Sequence, residues 1–317
     1  MAGEFELIAR HFTRPVRRAA LGVGDDCALL RVRPGMELAL SSDMLVEGRH
    51  FLSTVAPERL GHKALAVNLS DLAACGAEPL AFTLALALPR GDDDFAAGLA
   101  RGLFALAEAH GIELVGGDTT AGPLNICITV LGEVPAGQAL LRSGARAGDE
   151  LWVSGVLGDA RLALEVFRGR VALDAASFEQ VRRAMEQPMP RVALGLALRG
   201  VASSAIDLSD GLVGDLGHVL QRSGVGARVE ADALPHSAVL AAQPLPLRRE
   251  CLLAGGDDYE LLFTAAPAQR DAVLAAARQA GVQVTRCGAV TAGAGLQIVD
   301  AKGRTLDLQL HGFDHFA

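Results

Sequence analysis

One segment, residues 63–78, constrains the fold more than any other, because it predicts a helix that is apolar on almost every side. The leucines that recur at helical spacing are Leu65, Leu69 and Leu72, with alanines between them. Helices of this kind lie inside a folded domain. Asp71 stands in the same segment, and Asn68 lies three residues earlier on the same helical face. The sequence therefore predicts a carboxylate in the interior of the protein.

A buried carboxylate without a partner is so unfavourable that it normally takes up a proton, pairs with a cation or binds a metal ion. Taken alone, Asp71 better fits a structural role in which local hydrogen bonds hold it. Lys63 lies two turns away along the helix and is not expected to be its partner. Both interpretations of Asp71, metal ligand and structural residue, stay open at this point.

Five further segments resemble one another, since each has an apolar, strand-like run that leads into glycine or serine and one or two aspartates. They are residues 22–26, 40–43, 114–120, 205–212 and 252–260. Loops at the ends of buried strands are where binding sites are commonly built. Two aspartates about 4 Å apart repel by about 4 kcal/mol at an effective dielectric constant of about 20. Divalent cations remove that cost, and carboxylate and hydroxyl oxygens favour Mg²⁺ or Mn²⁺ over zinc.

Composition narrows the class of protein. A chain of 317 residues predicts two domains, and 50% apolar but only 4% aromatic residues predict an aliphatic core. A net charge of −8 without a basic run argues against a nucleic-acid partner. The longest apolar run, residues 79–89, is too short to span a membrane. No signal peptide is expected, and five scattered cysteines without a CxxC pair predict reduced thiols in the cytoplasm.

Helix-like and strand-like patterns alternate along the chain, which predicts an α/β or α+β fold. Residues 4–13 and 94–110 predict helices, and residues 27–30, 36–43 and 79–89 predict strands. The pattern pauses around residue 135, so we place the domain boundary there, with domains at 1–137 and 138–317. The triplet Gly-Gly-Asp occurs at 116–118 and again at 255–257, which suggests two related halves, although no longer repeat aligns.

The familiar motifs for holding ATP are missing, since the sequence has no GxxxxGK[ST] loop and no protein-kinase HRD or DFG motif. No Ser-His-Asp or Cys-His combination indicates covalent catalysis. What remains is acidic loops, hydroxyls, glycines that allow the backbone to approach a phosphate, and Arg142 in a glycine-containing loop. This set favours metal-assisted phosphoryl transfer, in which positioning and charge neutralisation do the work.

Seven segments, in the same order and from residue 3 to residue 316, together resemble the thiamine-monophosphate kinase family. They are GVGDDCALL at 22–30, SDMLVEGRHF at 42–51, KALAVNLSDLAA at 63–74, GGDTT at 116–120, RSGA at 142–145, IDLSDGL at 206–212 and GFDHF at 312–316. With aminoimidazole-ribonucleotide synthetase and selenophosphate synthetase, that family forms a superfamily of two-domain α/β proteins without a P-loop. The resemblance implies the same fold, and a homodimer in which the metal- and ATP-binding N-terminal domains pair.

The resemblance also implies an activity, the direct transfer of the γ-phosphoryl group of ATP to thiamine monophosphate, giving thiamine diphosphate and ADP. The positions that hold several Mg²⁺ ions in the family are Asp26, Ser41, Ser42, Asp43, Asp71, Asp118, Asp207 and Asp210. The ATP-binding positions are Gly117, Asp118, Arg142 and Ser209. The positions that bind the thiamine part of the acceptor are His50, Asp257 and Phe313. No catalytic base is expected, because a phosphate acceptor is already anionic at neutral pH.

Two positions depart from the family's usual sequence. Ser42 stands where threonine is usual and lacks only a methyl group, whereas Asp257 stands where glutamate is usual. The shorter carboxylate of Asp257 leaves a gap to the acceptor that a water molecule can bridge.

Two alternatives stay open, a superfamily enzyme that acts on another small acceptor and a binding protein that senses a metal or nucleotide without turnover. His50 and Phe313 argue against the first, because an aromatic group near the acceptor suits a flat cationic heterocycle. ATP consumption with thiamine monophosphate, and its absence with other acceptors, would separate all three functions.

Overall fold

The computed structural model describes residues 3–308, and the chain within it forms two compact units. The first unit ends at Gly137, except that Ala73–Gly76 belongs to the second, which continues from Gln138. Each unit has one mixed sheet accompanied by helices, so the chain has the α/β fold that the sequence predicts. Which function each domain carries stays a prediction.

The first unit is built on a four-stranded sheet. Its strands are β1 (Met36–Val46), β2 (Glu78–Leu88), β3 (Glu113–Ala121) and β4 (Asn125–Pro135), and its helices are α1 (Glu4–Leu7), α2 (Pro57–Cys75) and α3 (Asp93–His110). The strand order is β1-β4-β2-β3. Strand β2 pairs in parallel with β3 and antiparallel with β4, which in turn pairs antiparallel with β1. Strands β1 and β3 are therefore the two edges of the sheet.

Helix α2 is the buried helix that the sequence predicts, since almost every side chain along its second half is shielded from solvent. Asp71 is an exception, because it is only half-buried, and the prediction of a fully interior carboxylate is wrong. The buried charged residue of this helix is Lys63, which is 2% exposed. Its ammonium group donates a hydrogen bond to the carbonyl oxygen of His50 at 3.1 Å, which supplies the polar contact that burial of a charge requires.

Helices α2 and α3 approach each other closely at two glycines. A Cβ at Gly61 would lie 2.0 Å from the carbonyl oxygen of Leu99, and one at Gly102 would lie 1.8 Å from that of Glu58. Only glycine leaves room for such contacts. They fix the position of the helix that carries Asp71.

Side chains of the first sheet alternate between a covered face and an open face. On the covered face, Ile128 and Val130 of β4 are buried. On the open face, Leu40 and Met44 of β1 are exposed. Strand β1 thus has apolar side chains facing solvent, between residues that face the covered side.

The N-terminal segment differs from its prediction. The helix predicted at residues 4–13 is a single α-helical turn, α1, followed by a π-helical turn, Ile8–Phe12, and Phe5 is 80% exposed. Residues 27–30 form no strand, and one bridge between Leu21 and Leu29 closes a short hairpin. Polar contacts hold this segment, because the carboxylate of Glu113 accepts hydrogen bonds from the backbone N–H groups of residues 17 and 18.

The second unit is built on a six-stranded sheet. Its strands are β5 (Glu150–Ser154), β6 (Ser204–Asp207), β7 (Gly226–Glu230), β8 (Leu261–Ala265), β9 (Val284–Thr291) and β10 (Gly295–Val299). Its helices are α4 (Asp159–Phe167), α5 (Ala175–Glu186), α6 (Val192–Ala197), α7 (Leu212–Ser223), α8 (Ala238–Ala241), α9 (Leu245–Ala254) and α10 (Arg270–Ala280). The strand order is β10-β7-β9-β5-β8-β6, in which β10 and β7 are parallel and the other neighbours antiparallel.

The core of the second unit is aliphatic, as the composition predicts. Buried residues at its centre include Leu151, Leu162, Leu216, Val229 and Leu253. Within residues 3–308, no helix combines the length and the apolar character that crossing a membrane requires.

Candidate functional site

In the first unit, strand β1 and helix α2 bring several predicted metal-binding residues together. The hydroxyl of Ser41 donates a hydrogen bond to Oδ2 of Asp71 at 2.5 Å. The backbone N–H of Asp43 donates to Oδ1 of Asn68 at 3.1 Å, and Nδ2 of Asn68 donates to the carbonyl oxygen of Ala64 at 3.0 Å. These contacts join β1 to α2 and orient the helix face that carries Asp71 towards the strand.

Asp43 and Asp118 both lie within strands. The strand predicted to end at Asp43 is longer than expected, and the prediction that Asp118 lies in a glycine loop after its strand is wrong. Strand β1 continues past Asp43 to Val46, and β3 runs through the whole Gly-Gly-Asp triplet to Ala121. Gly117 makes this pairing feasible, because a Cβ there would lie 1.9 Å from the carbonyl oxygen of Leu84 in β2. Its φ of 148° also favours glycine. Close strand pairing therefore accounts for Gly117 without a ligand, and its contact with ATP stays a prediction.

The register of the sheet places Asp43 and Asp118 on opposite faces. Asp118 of β3 is paired with Ala85 of β2, and Ala85 is paired with Cys127 of β4. Cys127 is in turn paired with Met44 of β1, which is exposed. Asp43 is paired with Ile128, which is buried. Paired residues share a face, because side chains alternate along a strand. Within one unit, these two predicted metal ligands are thus kept apart by the sheet itself.

Asp26 and Ser42 are both exposed. Asp26 lies in the short N-terminal hairpin, where its backbone N–H donates to Oδ1 of Asp25 at 2.9 Å. Ser42 lies on the open face of the sheet, with its hydroxyl 2.9 Å from that of Thr129. Among residues 3–308, no three His, Cys, Asp or Glu side chains converge closely enough to hold a metal ion. The ligand set therefore stays a prediction.

Two aromatic residues, His50 and Phe313, are predicted to contact the thiamine part of the acceptor. His50 is half-buried in the turn after β1, and its Nδ1 accepts a hydrogen bond from the backbone N–H of Val46 at 3.0 Å. That contact gives the ring a structural role in the turn, and its contact with substrate stays a prediction. Phe313 lies outside the described residues.

In the second unit, predicted metal and nucleotide residues follow strand β6. Asp207 is the buried last residue of β6. Asp215, in the first turn of α7, accepts hydrogen bonds at Oδ2 from the backbone N–H groups of Asp210 at 3.1 Å and Gly211 at 3.0 Å. Burial raises the pKa of Asp215 to about 7, and the negative charge of Asp210 adds to the shift. The positive charge of Arg142 opposes it, so Arg142 also lies near this turn.

The loop between α9 and β8, which carries Asp257, lies directly against the turn after β6. The backbone N–H of Asp257 donates to the carbonyl oxygen of Ser209 at 2.9 Å, and that of Tyr259 donates to the carbonyl oxygen of Leu208 at 2.8 Å. Gly256 is required there, because a Cβ would lie 2.4 Å from the carbonyl oxygen of Ser209. The structure thus joins a predicted nucleotide-binding residue and a predicted acceptor-binding residue through adjacent backbone.

The carboxylates that follow Asp257 anchor the loop. Asp258 accepts hydrogen bonds at both side-chain oxygens from the backbone N–H of Gly158, at 2.9 and 3.0 Å. Removal from water raises the pKa of Asp258 well above its usual value. Glu260 accepts hydrogen bonds from Nε of Arg191 at 2.6 Å and from the hydroxyl of Ser154 at 2.5 Å. Both contacts tie the loop to the core of its unit.

The two Gly-Gly-Asp triplets lie in different surroundings. Residues 116–118 are part of strand β3, whereas residues 255–257 follow helix α9. The strand predicted from residue 252 onwards is wrong, because Leu252 and Leu253 end that helix with their side chains in the core. The triplets therefore give no support to two related halves.

Two residues of this site were not predicted from the sequence, Asp215 and Tyr259. A signal existed for Asp215, because it follows Asp210 at a distance that places a carboxylate in the first turn of the next helix. Tyr259 carries a weaker signal, as the single tyrosine of the sequence.

Comparison with known proteins identifies the family of this chain. Residues 24–134 match the family described as AIR synthase related protein, N-terminal domain, and residues 146–301 match its C-terminal domain. Thiamine-monophosphate kinase of Salmonella typhimurium is 46% identical over 323 residues, covering 99% of this chain and 98% of that protein.

Two solved structures extend the comparison. The crystal structure of thiamine-monophosphate kinase from Stenotrophomonas maltophilia is 45% identical with a TM-score of 0.86, and the match covers 95% of each chain. The structure of AaThiL complexed with AMPPCP and TMP is 30% identical with a TM-score of 0.78, covering 90% of this chain and 89% of that one. Because the likeness extends over the full length of these relatives and includes the fold, the chain belongs to the thiamine-monophosphate kinase family.

Proposed function

We propose that the protein transfers the γ-phosphoryl group of ATP directly to the phosphate of thiamine monophosphate, giving thiamine diphosphate and ADP. The observation that carries this proposal is the backbone pairing of the turn after β6 with the loop before β8. The turn contains Ser209 and Asp210, predicted to contact nucleotide and metal, and the loop contains Asp257, predicted to contact thiamine. Membership of the family identifies the two substrates, and the related AaThiL is complexed with AMPPCP and TMP.

We infer that several Mg²⁺ ions take part. Asp43 and Asp71, with the hydroxyl of Ser41, offer hard oxygen donors on adjacent elements of the first unit, as Asp207 and Asp210 do in the second. Oxygen donors of this type fit Mg²⁺. The rest of the proposed ligand set is Asp26, Ser42 and Asp118. When bound, Mg²⁺ supplies the positive charge that suppresses repulsion between ATP and an anionic acceptor.

The groups of the chain itself bind and orient the substrates. Arg142 is the proposed cationic contact for the phosphates of ATP, since guanidinium groups bind phosphate through paired hydrogen bonds. Gly117, Asp118 and Ser209 complete the proposed nucleotide contacts, and His50, Asp257 and Phe313 the acceptor contacts. No side chain has to remove a proton, because the phosphate of the acceptor is already anionic. The rate therefore depends on holding two anions in line and close together.

We also propose that the protein is a homodimer that pairs through the open face of the first sheet. Leu38, Leu40 and Met44 of β1 are 46%, 64% and 52% exposed on that face. Contiguous exposed apolar side chains of this kind mark interaction surfaces. A second copy offers the same surface in return, as two-fold symmetric dimers require.

The proposed compartment is the cytoplasm. Within residues 3–308, none of the five cysteines forms a disulfide, and Cys251 and Cys287 are buried among core residues. Free thiols are the rule where the surroundings keep cysteine reduced. The state of the cysteines supports the compartment that the sequence predicts.

A coupled assay of ADP release tests the proposed reaction. Purified protein, ATP and Mg²⁺ are combined with thiamine monophosphate, with thiamine, or with other phosphorylated small molecules. We expect ADP release with thiamine monophosphate alone, together with an equal amount of thiamine diphosphate measured by chromatography. Release with a different acceptor would favour another superfamily activity, and binding without turnover would favour a sensor.

A further inference from the structure

The loop before β8 contains two residues in an unusual backbone conformation. Asp257 has φ of 69° and Tyr259 has φ of 50°, and within residues 3–308 no other residue except glycine has a positive φ. Aspartate tolerates this region, but a bulky aromatic residue does so only under strain. Strained residues of this kind persist where surrounding structure imposes them, and they cluster at functional sites.

The neighbouring turn imposes the conformation. Three backbone hydrogen bonds join it to the loop: Asp257 to Ser209 at 2.9 Å, Tyr259 to Leu208 at 2.8 Å, and Leu208 to Glu260 at 2.8 Å. They use the N–H groups of both strained residues. The loop is therefore held in register with the turn, and its two side chains are held relative to each other.

This backbone brings the two side chains together. The hydroxyl of Tyr259 donates a hydrogen bond to Oδ1 of Asp257 at 3.2 Å. Tyr259 is 8% exposed, so packing limits the freedom of its side chain, while Asp257 remains half-buried. A carboxylate whose orientation is fixed before substrate arrives binds more tightly, because less conformational entropy is lost on binding.

We propose that Tyr259 is a positioning residue that orients the carboxylate of Asp257 towards the cationic heterocycle of thiamine monophosphate and so sets the affinity for the acceptor. This inference rests on the proposed function, in which Asp257 binds the thiamine side. It assigns to the tyrosine hydroxyl a role that acts entirely through Asp257. Removal of the hydroxyl must therefore have an effect only while the carboxylate is present.

A double-mutant cycle tests this dependence. Steady-state kinetics, with each substrate varied separately, are measured for the parent, Tyr259→Phe, Asp257→Ala and the double variant. We expect Tyr259→Phe to raise KM for thiamine monophosphate about tenfold, which corresponds to about 1.4 kcal/mol. kcat and KM for ATP should change little, because the contact is the same in the ground and transition states. In the Asp257→Ala background, Tyr259→Phe should add nothing.

Three outcomes would overturn the inference. Equal effects of Tyr259→Phe in both backgrounds would mean that the ring acts independently of Asp257, and no effect in the parent would mean that the hydroxyl orients nothing. If Asp257→Ala raises KM for ATP and leaves that for the acceptor alone, then the proposed acceptor role of Asp257 fails as well. An acceptor effect of Asp257→Ala without one from Tyr259→Phe rejects only the positioning role.

Two controls separate this role from stability. Ser177→Ala removes another hydroxyl that bonds a carboxylate, that of Asp174 at 2.6 Å on the surface of the same unit, and should leave both KM values unchanged. Circular dichroism and thermal unfolding check that each variant is folded. Calorimetric titration of the same four proteins with thiamine monophosphate, in the absence of ATP, measures their affinities directly. If the effects of the two substitutions on affinity simply add, the proposal is again contradicted.

Discussion

The hydroxyl of Ser41 donates a hydrogen bond of 2.5 Å to Oδ2 of Asp71, across the contact between strand β1 and helix α2. A predicted metal ligand on the strand is thus in direct contact with another on the helix. Because Asp71 is half-buried, its charge is only partly solvated, and an amide at this position would avoid that cost.

The first prediction is that Asp71→Asn abolishes turnover and leaves the fold intact, or more stable in metal-free buffer. Asparagine is nearly isosteric, and it removes a charge that burial disfavours. Kinase assays and thermal unfolding with a chelator present measure the two effects. Asp94→Asn, which changes an exposed carboxylate in α3, is the control and should alter neither. Near-normal rates, or unfolding of Asp71→Asn alone in metal-free buffer, would make Asp71 a structural residue.

A second prediction concerns the amount of Mg²⁺. We expect the initial rate to keep rising after Mg²⁺ exceeds the amount that ATP chelates, because the acidic residues bind further ions. The measurement is a Mg²⁺ titration at fixed ATP, with ionic strength held constant by added NaCl. A rate that reaches its plateau when all ATP is in the Mg²⁺ form would speak against ions held by the protein.

A third prediction tests the open face of the first sheet. Leu40→Asp should convert the expected dimer into a monomer, because it places a charge within the apolar contact. Sedimentation velocity over a range of concentrations measures the change. Met189→Asp alters a residue of similar exposure, 56%, outside this face and should leave the dimer intact. The proposed interface is rejected if Leu40→Asp still sediments as the parent does, or if both variants dissociate.

The fourth prediction concerns stability and pH. Glu133 is 1% exposed, and burial tends to raise its pKa, but hydrogen bonds and charge from Arg33 outweigh that effect and hold the pKa below its usual 4.5. A lowered pKa stabilises the fold above the unfolded value, and this stability is lost as pH falls through the folded value. Glu133→Gln should therefore cost about 2–4 kcal/mol at neutral pH, and less at pH values below about 4.5.

Urea unfolding followed by far-UV circular dichroism, at neutral and acidic pH, measures this difference. Glu78→Gln is the matched control, because Glu78 pairs with the same Arg33 but is much more exposed. Exposed ion pairs contribute at most about 1 kcal/mol. Equal losses from the two variants, or a loss from Glu133→Gln that does not shrink in acid, would contradict the prediction.

Sequence reasoning succeeded where a pattern reports burial directly. Helix α2 follows from the spacing of its leucines, and strand β2 from a continuous apolar run. It did not reveal the structural reason for Gly117, because the need for glycine there comes from a carbonyl oxygen on a neighbouring strand. It also missed the contact of Tyr259 with Asp257. That contact depends on two positive φ angles, which are imposed by a turn about 50 residues earlier in the sequence that lies against the loop. Contacts between segments far apart in sequence leave no local pattern.

Strand β1 places Leu40 and Met44 on one face, while Ser41 and Asp43 alternate with them. Loss of one residue near its start would exchange the two faces, since each step along a strand reverses the direction of the side chain. The hydroxyl of Ser41 and the carboxylate of Asp43 would then turn to solvent, and Leu40 and Met44 would turn towards the covered face. We expect this segment to accept substitutions far more readily than single-residue insertions or deletions, and length changes there to survive only in pairs.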